Sequence, residues 1–278
     1  MKNPVVSVVL PTFNRLQWLP AAVTSIQSQT MADWEVIVID DGSTDGTEGW
    51  LRGLSEPRLR YLRQVHCGNI AAVRNIGLDM AQGKWIAFLD SDDRWRPRKL
   101  ALQIERLASA ARSWCYGAYE LIDPSGQLVA QPWGGPWRPF EGWITDRLLT
   151  TEASVTVQTL LVRSEIAKAL RFDERIPLVD DYDFALRLTA HAPGCVVNDT
   201  VAEIRIHAGR TTSQAGQYLG DLGKAMVYRK AARTLTDPHL RQLARRQQFA
   251  HFSALARRAM RHAAAGELMR AARSLWRI

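Results

Sequence analysis

Three aspartates crowd the end of an apolar segment in the first half of the chain. Asp90, Asp92 and Asp93 follow the apolar residues 85–89, whose composition is typical of a buried strand. Carboxylates this close repel one another and lose solvation when the chain folds, and a hard divalent cation with oxygen ligands relieves both effects. The sequence therefore predicts a metal and diphosphate site here. The alternative is an aspartate-rich turn that caps the next helix.

The elements that must position these aspartates alternate between strand and helix. Apolar runs predict strands at residues 5–10, 34–39, 61–62 and 85–89. Helical spacing predicts helices over residues 14–26 with Asn14 as the cap, near residue 47, over residues 69–81 and over residues 97–110. This alternation is typical of a parallel α/β sheet, which binds ligands at the carboxyl ends of its strands. Residues 11–14, 40–41 and 90–93 should therefore meet in one cleft.

Composition places the chain among ordinary globular proteins. It has 278 residues, 46% of them hydrophobic and 23% charged, which is enough for one large core with an extension. Its three cysteines (Cys67, Cys115 and Cys195) lack the spacing of a zinc site or a disulfide framework, which favours a reducing compartment. The first apolar run is too short for a signal peptide or a membrane span. We therefore expect a cytoplasmic protein.

Other nucleotide and metal motifs are absent from the sequence. Residues 40–46 begin like a calcium loop, but Arg52 stands at the twelfth position and the preceding segment is a strand. No Gly-x-Gly-x-x-Gly pattern follows the first strand, and the chain has no P-loop. The phosphates of a bound nucleotide must then be neutralised by a metal ion and by side chains such as Arg74.

Four segments, taken in order, resemble the family 2 glycosyltransferases of the GT-A fold. They are residues 6–15, 36–45, 72–78 and 83–93. A later stretch, residues 172–188, is similar to the acidic motif that carries the catalytic base in that family. The resemblance spans about residues 5–213 and implies an α/β GT-A fold, with a Rossmann-like, mostly parallel sheet and flanking helices.

This resemblance also implies an organisation of the chain and an activity. Residues 1–125 would form the nucleotide-sugar-binding half, residues 126–213 the acceptor and catalytic-base half, and residues 214–278 a basic helical extension. The implied activity is a metal-dependent, inverting transfer of a sugar from a nucleoside-diphosphate sugar, most often a UDP-sugar, to a hydroxyl of a saccharide or lipid-linked acceptor. The implied pathway is the synthesis of a cell-surface polysaccharide or glycan.

The resemblance also implies a role for individual residues at positions that match the motifs of the family. The residues implied to bind the donor are Pro11, Phe13, Asn14, Asp41, Arg74, Asp90 and Asp93. Among them, Asp41 would accept from the base imino nitrogen, Arg74 would lie near the diphosphate and Asp90 towards the ribose. Asp93 would lie close to the sugar or the metal. Mn²⁺ or Mg²⁺ would be held by Asp92 and His207, and Asp181 would be the catalytic base.

Several of these assignments have alternatives. Asp180 and Asp181 suit a charged first turn of a helix, where acids interact favourably with the helix dipole. His207 is equally compatible with a purely structural role. The chain also departs from the family at two positions, with Asp180 in place of the usual Glu and Arg171 in place of the usual Gly. The first change shortens the acid beside the base.

The chemistry of an inverting transfer requires help at both ends. An acceptor hydroxyl attacks the anomeric carbon opposite the departing nucleoside diphosphate, through a transition state with oxocarbenium character. A divalent cation neutralises charge on the β-phosphate, and a carboxylate takes the hydroxyl proton. Two other functions stay open: a catalytically silent sugar-nucleotide-binding scaffold, and a sugar nucleotidyltransferase. The second is disfavoured because residues 11–14 offer no glycine-rich phosphate loop.

Between the two halves, residues 114–119 and 127–130 predict a hairpin that turns through residues 123–126. Residues 131–139 read as an irregular loop whose tryptophans either pack or stack on a sugar, and packing is favoured because aromatic burial is the commoner use. Residues 156–162 resemble the strand near the acceptor pocket.

Positive charge is concentrated in the tail. The whole chain has a formal charge of +8, but residues 214–278 hold 13 Lys and Arg against three acids, a net +10. Apolar stripes over residues 252–259 and 268–275, separated at Gly266, predict a basic helical hairpin. We favour helices packed on the catalytic domain over a surface for anionic lipid at the inner face of the membrane. No nucleic-acid recognition motif accompanies the charge, and the sequence indicates no oligomeric state.

Overall fold

The structure of the protein is a computed structural model that describes residues 3–130, 137–209 and 217–261, with only the backbone of 217, 218 and 258–261. In this part of the chain one mixed sheet holds the strands β1 (Val6–Thr12), β2 (Trp34–Asp40), β3 (Leu59–Arg63), β4 (Trp85–Phe88), β5 (Arg94–Trp95), β6 (Trp114–Ile122), β7 (Leu128–Val129), β8 (Leu161–Arg163) and β9 (Cys195–Arg205). The strand order is β3-β2-β1-β4-β8-β6-β9-β5, with β7 paired to β6.

Helices cover both faces of this sheet. They are α1 (Leu19–Gln27), α2 (Thr47–Arg52), α3 (Ile70–Met80), α4 (Lys99–Ala110), α5 (Thr145–Leu149), α6 (Ser164–Leu170), α7 (Asp180–His191), α8 (Gln217–Thr234) and α9 (Pro238–Arg261). Successive residues of a strand point to opposite faces. Val8 of β1 accordingly joins the core under α1 and α4, and Val9 joins the core under α3, α7 and α8.

The first half confirms the predicted parallel sheet. β1 pairs in parallel with β2 and β4, and β2 with β3. Every residue of β1, β2 and β4 is buried, as expected of strands covered on both faces. The carboxyl ends of β1, β2 and β4 therefore lie side by side at one edge of the sheet.

The starts of α3 and α1 differ in how they are capped. The predicted helix over residues 69–81 is present as α3, and the Asn69 side chain caps it by accepting from the backbone N–H of Ala71 and Ala72. The prediction that Asn14 caps α1 is wrong, since that helix begins at Leu19 with no side-chain cap. Asn14 adopts a left-handed φ of 50° and its Oδ1 accepts from Thr44 N at 2.8 Å.

The second half of the sheet is mostly antiparallel. β8 pairs antiparallel with β4 and β6, and the predicted hairpin is present as β6 and β7. The predicted strand over residues 156–162 is wrong over its first part, where Val157–Thr159 forms a 3₁₀ turn. The cause is visible in α4: buried Gln103 donates to Thr159 O at 2.7 Å and buried Lys99 donates to Leu160 O at 3.2 Å. These donors occupy carbonyls that a longer strand would pair.

In the loop after β7, residues 131–136, which include Trp133, lie outside the described residues. Trp137 packs edge-to-face against Tyr116, with 6.3 Å between ring centroids, and contacts the core. For Trp137 the structure agrees with the packing interpretation.

The helices of the extension pack on the catalytic half. Leu222, Met226 and Tyr228 of α8 are buried in the same core as β4 and α7. Lys230 Nζ lies 2.7 Å from Asp173 Oδ2 and 3.0 Å from Asp183 Oδ2. The described helical pair is therefore α8 and α9, whereas the predicted hairpin around Gly266 falls outside the described residues. No helix among the described residues is both long enough and apolar enough to cross a bilayer.

Candidate active site

A cavity of about 930 Å³ opens at the carboxyl ends of β1, β2 and β4. The predicted site residues that line it are Pro11, Phe13, Asp41, Asp90 and Asp92. The sequence prediction that three strand ends share one cleft is therefore confirmed. Asn14, Arg74, Asp93, Asp181 and His207 are not part of this lining.

Asn14 holds two loops together beside the cavity. Its backbone N–H donates to Ser43 Oγ at 2.9 Å, and its side chain accepts from Thr44 N. These bonds fix the turn after β1 against the loop after β2. Asn14 therefore braces these loops, and its contact with the donor stays a prediction.

Asp41, at one end of the cavity, is a strongly hydrogen-bonded carboxylate that is only 5% exposed. Its Oδ1 accepts from Gln64 Nε2 at 2.6 Å and Cys67 N at 2.9 Å, and its Oδ2 accepts from Gly68 N at 3.0 Å. Burial by itself raises the pKa of Asp41, but the hydrogen bonds outweigh burial and hold the pKa below its ordinary value. The group is therefore ionised and fixed in orientation.

His66 completes this end of the site, and the sequence did not single it out. Its Nδ1 lies 2.8 Å from Asp41 Oδ2, and its ring stacks on Phe13 with 4.0 Å between centroids and 14° between planes. The only signal in the sequence is the position of residues 64–68, which follow the carboxyl end of β3 as residue 41 follows β2.

Asp92, which lines the cavity, forms a pair with His207 behind it. His207 Nε2 lies 3.0 Å from Asp92 Oδ2, and the imidazole packs against Trp18, while its buried Nδ1 has no hydrogen-bond partner among the described residues. Arg15 approaches the same carboxylate oxygen at 3.7 Å and donates to Gly209 O at 2.8 Å. Arg15 lines the cavity, and its place at the end of the segment 6–15 was a signal that could have identified it.

The donor set of this pair fits a divalent cation. Adjacent ligands of a six-coordinate cation with bonds of about 2.1 Å lie about 3 Å apart, which matches the separation of the Asp92 and His207 donors. Within the described residues, no group of three or more His, Cys, Asp or Glu side chains is arranged to hold a metal alone. Mg²⁺-type sites commonly complete their coordination with substrate phosphates and water, which these two residues would require.

Asp93 is a buried carboxylate beside the end of β9. It is 3% exposed, and its Oδ1 accepts from Arg205 N at 2.7 Å. Arg205 in turn donates through Nε to Asp92 O at 2.8 Å. Asp93 therefore anchors the end of β9 to the loop after β4, and its place close to the sugar or the metal stays a prediction.

Arg74 is buried between two carboxylates. Its side chain is 3% exposed, NH1 donates to Asp180 Oδ2 at 2.7 Å, and NH2 donates to Asp90 Oδ1 at 2.7 Å. The other oxygen of Asp90 accepts from Gln158 Nε2 at 2.6 Å. The guanidinium of Arg74 therefore ties α3 to the loop after β4 and to the start of α7, and its place beside the diphosphate stays a prediction.

Asp180 and Asp181 lie in the first turn of α7, where the alternative interpretation also placed them. Burial and the neighbouring Asp180 raise the pKa of Asp181 to about 6, with Arg74 opposing the rise. Burial likewise raises the pKa of Asp180, against the attraction of Arg74. A carboxylate whose pKa lies close to neutrality is suited to accept a proton.

The match to known families covers more than half of the chain. Residues 7–169 match the family described as Glycosyl transferase family 2. The chain belongs to glycosyl transferase family 2. Among its relatives is the Escherichia coli UDP-Glc:alpha-D-GlcNAc-diphosphoundecaprenol beta-1,3-glucosyltransferase WfgD, 37% identical over 133 residues, which are 47% of this chain and 53% of that protein. Across four such relatives the chain spans 30% to 66% of their length.

Solved structures of glycosyltransferases share the fold of this family 2 chain. Staphylococcus aureus TarS residues 1–349 in complex with UDP-GlcNAc superposes with a TM-score of 0.73 at 19% identity, over 89% of this chain and 72% of that chain. The mannosyltransferase PcManGT from Pyrobaculum calidifontis in complex with GDP-Man and Mn²⁺ gives a TM-score of 0.68 at 20% identity, over 96% and 76%. The fold is GT-A, as the sequence resemblance implied.

Proposed function

We propose that the protein transfers a sugar from a UDP-sugar to a hydroxyl acceptor with inversion at the anomeric carbon. The observation that carries this proposal is a single cavity with three chemistries in sequence. Phe13 and Asp41 suit a pyrimidine base, Arg15 and a cation held by Asp92 suit a diphosphate, and Asp90 is joined through Arg74 to the acidic first turn of α7. The relatives named above support a nucleotide-sugar donor, since WfgD is named for UDP-Glc.

The described residues divide the work of the transfer. When bound by Asp92 and His207, Mn²⁺ or Mg²⁺ would neutralise negative charge on the leaving diphosphate. Arg15 adds a positive charge in the cavity beside Asp92. Asp181 takes the proton of the acceptor hydroxyl as that oxygen attacks, and its raised pKa matches this task. Arg74 holds Asp90 and the start of α7 in fixed relation.

An apolar wall on the other side of the cavity supports a lipid-linked acceptor. Leu219, Leu222 and Met226 from α8 face Ile176 and Pro177 across this part of the lining. These apolar side chains cannot hydrogen-bond the hydroxyl groups of a free saccharide, but they can pack against the lipid chain next to the diphosphate of a lipid-linked acceptor. The name of WfgD also specifies a diphosphoundecaprenol-linked substrate. We place the activity in the synthesis of a cell-surface polysaccharide.

Acceptors of this kind reside in a membrane, and α9 has an exposed face that suits one. Phe249 is 73% exposed and Phe252 is 41% exposed, and the neighbouring Arg245 and Arg246 are exposed as well. Aromatic and basic side chains together bind the interface of anionic bilayers. We propose a cytoplasmic protein that docks peripherally on the inner face of the membrane.

The proposed function is tested by measuring UDP release. The full chain is incubated with a panel of nucleoside-diphosphate sugars and undecaprenyl-diphosphate-linked acceptors, with Mn²⁺, Mg²⁺ or EDTA. We expect UDP release that requires an acceptor and a divalent cation, and a product whose anomeric configuration, read by NMR, is inverted relative to the donor. Binding of UDP-sugars without release under any combination would instead favour the sugar-nucleotide-binding scaffold.

A further inference from the structure

The two contacts that the proposed function assigns to the nucleobase are already made by one side chain of the protein. The His66 imidazole covers the face of Phe13 at 4.0 Å and places Nδ1 2.8 Å from Asp41 Oδ2. The same nitrogen lies 2.9 Å from the main-chain oxygen of Asp41. Both neighbours of Nδ1 are acceptors, so this nitrogen carries the proton and acts as a donor. A planar ring with an N–H donor towards Asp41 has the features of a uracil.

A base cannot reach Phe13 and Asp41 while His66 stays in place. Stacked rings at 4.0 Å leave no space for a third ring between them. Asp41 already accepts from Gln64, Cys67, Gly68 and His66, which fills the roughly four acceptor positions of a carboxylate. An incoming imino N–H therefore needs one of these donors to leave.

Among these donors, His66 is the one whose departure also uncovers Phe13, and its side chain can leave without dismantling the loop. The Cys67 and Gly68 donors are backbone N–H groups, which cannot leave unless the loop moves. The His66 backbone is also packed tightly on Gly42, since a β-carbon on Gly42 would lie 2.9 Å from His66 N. The imidazole itself is 48% exposed. Rotation of the side chain towards solvent would uncover Phe13 and free an acceptor position on Asp41, while the backbone donors keep that carboxylate oriented.

We propose that His66 is a surrogate base, which occupies the nucleobase subsite in the absence of donor and swings out when the donor binds. This inference rests on the proposed function, because it concerns the same donor site. A side chain that blocks a site lowers the apparent affinity for the ligand in proportion to the time it spends there. His66 therefore weakens donor binding through the base alone and leaves the diphosphate end of the site unaffected.

The test compares the affinities of His66→Ala and the wild-type protein for two ligands, measured by calorimetry in the presence of Mn²⁺. UDP carries a base, and inorganic pyrophosphate does not. Because the variant abolishes one ring stack and one charged hydrogen bond, we expect its Kd for UDP to be about threefold to thirtyfold lower than that of the wild type. Its Kd for pyrophosphate should stay unchanged. The exposed histidine variant His239→Ala serves as the matched control and should change neither value.

A second variant separates the two contacts. His66→Phe keeps a ring over Phe13 but cannot donate to Asp41, so its Kd for UDP should lie between the values for wild type and His66→Ala. The surrogate-base inference would be overturned if His66→Ala left the Kd for UDP unchanged or raised it. It would also be overturned if the affinity for pyrophosphate increased as much as the affinity for UDP. In both cases, UDP binding by the wild type would leave the proposed function standing. Absence of UDP binding by every form would overturn the proposed donor, and the inference with it.

Discussion

In the proposed function, Asp181 is the residue on which the chemical step depends. Its carboxylate lies at the start of α7 beside Asp180, and no other role in donor binding is assigned to it. A general base contributes about 10²-fold to 10⁴-fold to a rate, so Asp181→Asn should lower kcat by that factor. The near-isosteric amide should leave the Kd for UDP unchanged. Steady-state kinetics and calorimetry on the same preparation check both statements, and near-normal kcat in the variant would refute the assignment.

The same residue predicts the pH dependence of the reaction. Burial and Asp180 raise the pKa of Asp181 to about 6, and only the deprotonated form can accept a proton. Below that pH the carboxylate is protonated and inactive, so kcat/KM should rise about tenfold per pH unit and level off above pH 6. Asp181→Asn, which cannot titrate, is the control and should lose this acidic limb. A wild-type profile that stays flat down to pH 4.5 would contradict the prediction.

Arg74 links α3, the loop after β4 and the start of α7, and its replacement should affect both stability and the pKa of Asp181. Arg74→Ala would leave the buried carboxylate of Asp180 without its cation, a change that typically lowers the free energy of unfolding by about 3–5 kcal/mol. Since the Arg74 charge opposes the raised pKa of Asp181, its removal should also move the acidic limb to higher pH. Urea unfolding and the pH profile measure the two effects.

A conservative variant separates the charge of Arg74 from its shape. Arg74→Lys keeps the positive charge but cannot reach two carboxylates with separate N–H groups in fixed geometry. It should return the acidic limb most of the way to its wild-type pH and restore only part of the stability. If Arg74→Ala changes stability but leaves the pH profile in place, Arg74 is a structural residue and has no part in setting the base.

The connection between α6 and α7 contains a strained position. Arg171 has φ 48° and ψ 163°, a region that is close to glycine-only, and it stands where the family usually has glycine. Arg171→Gly relieves strain of about 1–3 kcal/mol. It also removes the exposed ion pair with Asp79 and raises the conformational entropy of the unfolded chain, and both of these effects destabilise the fold. The expected net result is a stabilisation of about 1 kcal/mol. Chemical unfolding measures it. Arg171→Ala, which keeps a β-carbon, should not be stabilised, and equal gains in both variants would contradict the explanation.

The sequence predicted elements that depend on local residues, and it did not predict those that depend on residues far away in the chain. β1, β2 and β4 were predicted because uninterrupted apolar residues specify buried strands locally, and the clustering of their ends follows from sheet geometry. The 3₁₀ turn at Val157–Thr159 depends on donors from buried Lys99 and Gln103, more than fifty positions away. Burial lowers the pKa of Lys99 to about 7, an environment that composition does not indicate.

The candidate-site residues show the same difference between local motifs and long-range contacts. The cavity-lining Phe13, Asp41 and Asp92 were identified from motifs, whereas the partners of Arg74 lie up to 106 positions away in the chain. A motif assigns Arg74 to the donor site but does not reveal that two carboxylates hold it. The contact between His66 and Phe13 likewise depends on how β1 and the loop after β3 are juxtaposed in the fold.

At the scale of the whole molecule, the described helices of the basic tail differ in what they contact. Leu222, Met226 and Tyr228 of α8 complete the core against α7, so removal of the tail would expose buried apolar surface and unfold the protein. The exposed charges are concentrated instead on α9, where Arg245 and Arg246 accompany Phe249. Surface variants, and not truncations, are therefore the appropriate test of membrane docking.

Charge reversal on α9 should release the protein from anionic vesicles. Each arginine near such a surface contributes about 1 kcal/mol, so Arg245→Glu/Arg246→Glu should lower partitioning onto phosphatidylglycerol-containing vesicles by at least about thirtyfold, as measured by co-sedimentation. The matched control, Arg98→Glu/Arg112→Glu, makes the same change of charge at exposed positions flanking α4. Because the control leaves Phe249 and Phe252 and the neighbouring arginines of α9 unchanged, it should still pellet with the vesicles. Equal loss in both double variants would indicate attraction through net charge alone, and unchanged pelleting of the α9 variant would exclude this helix as the docking surface.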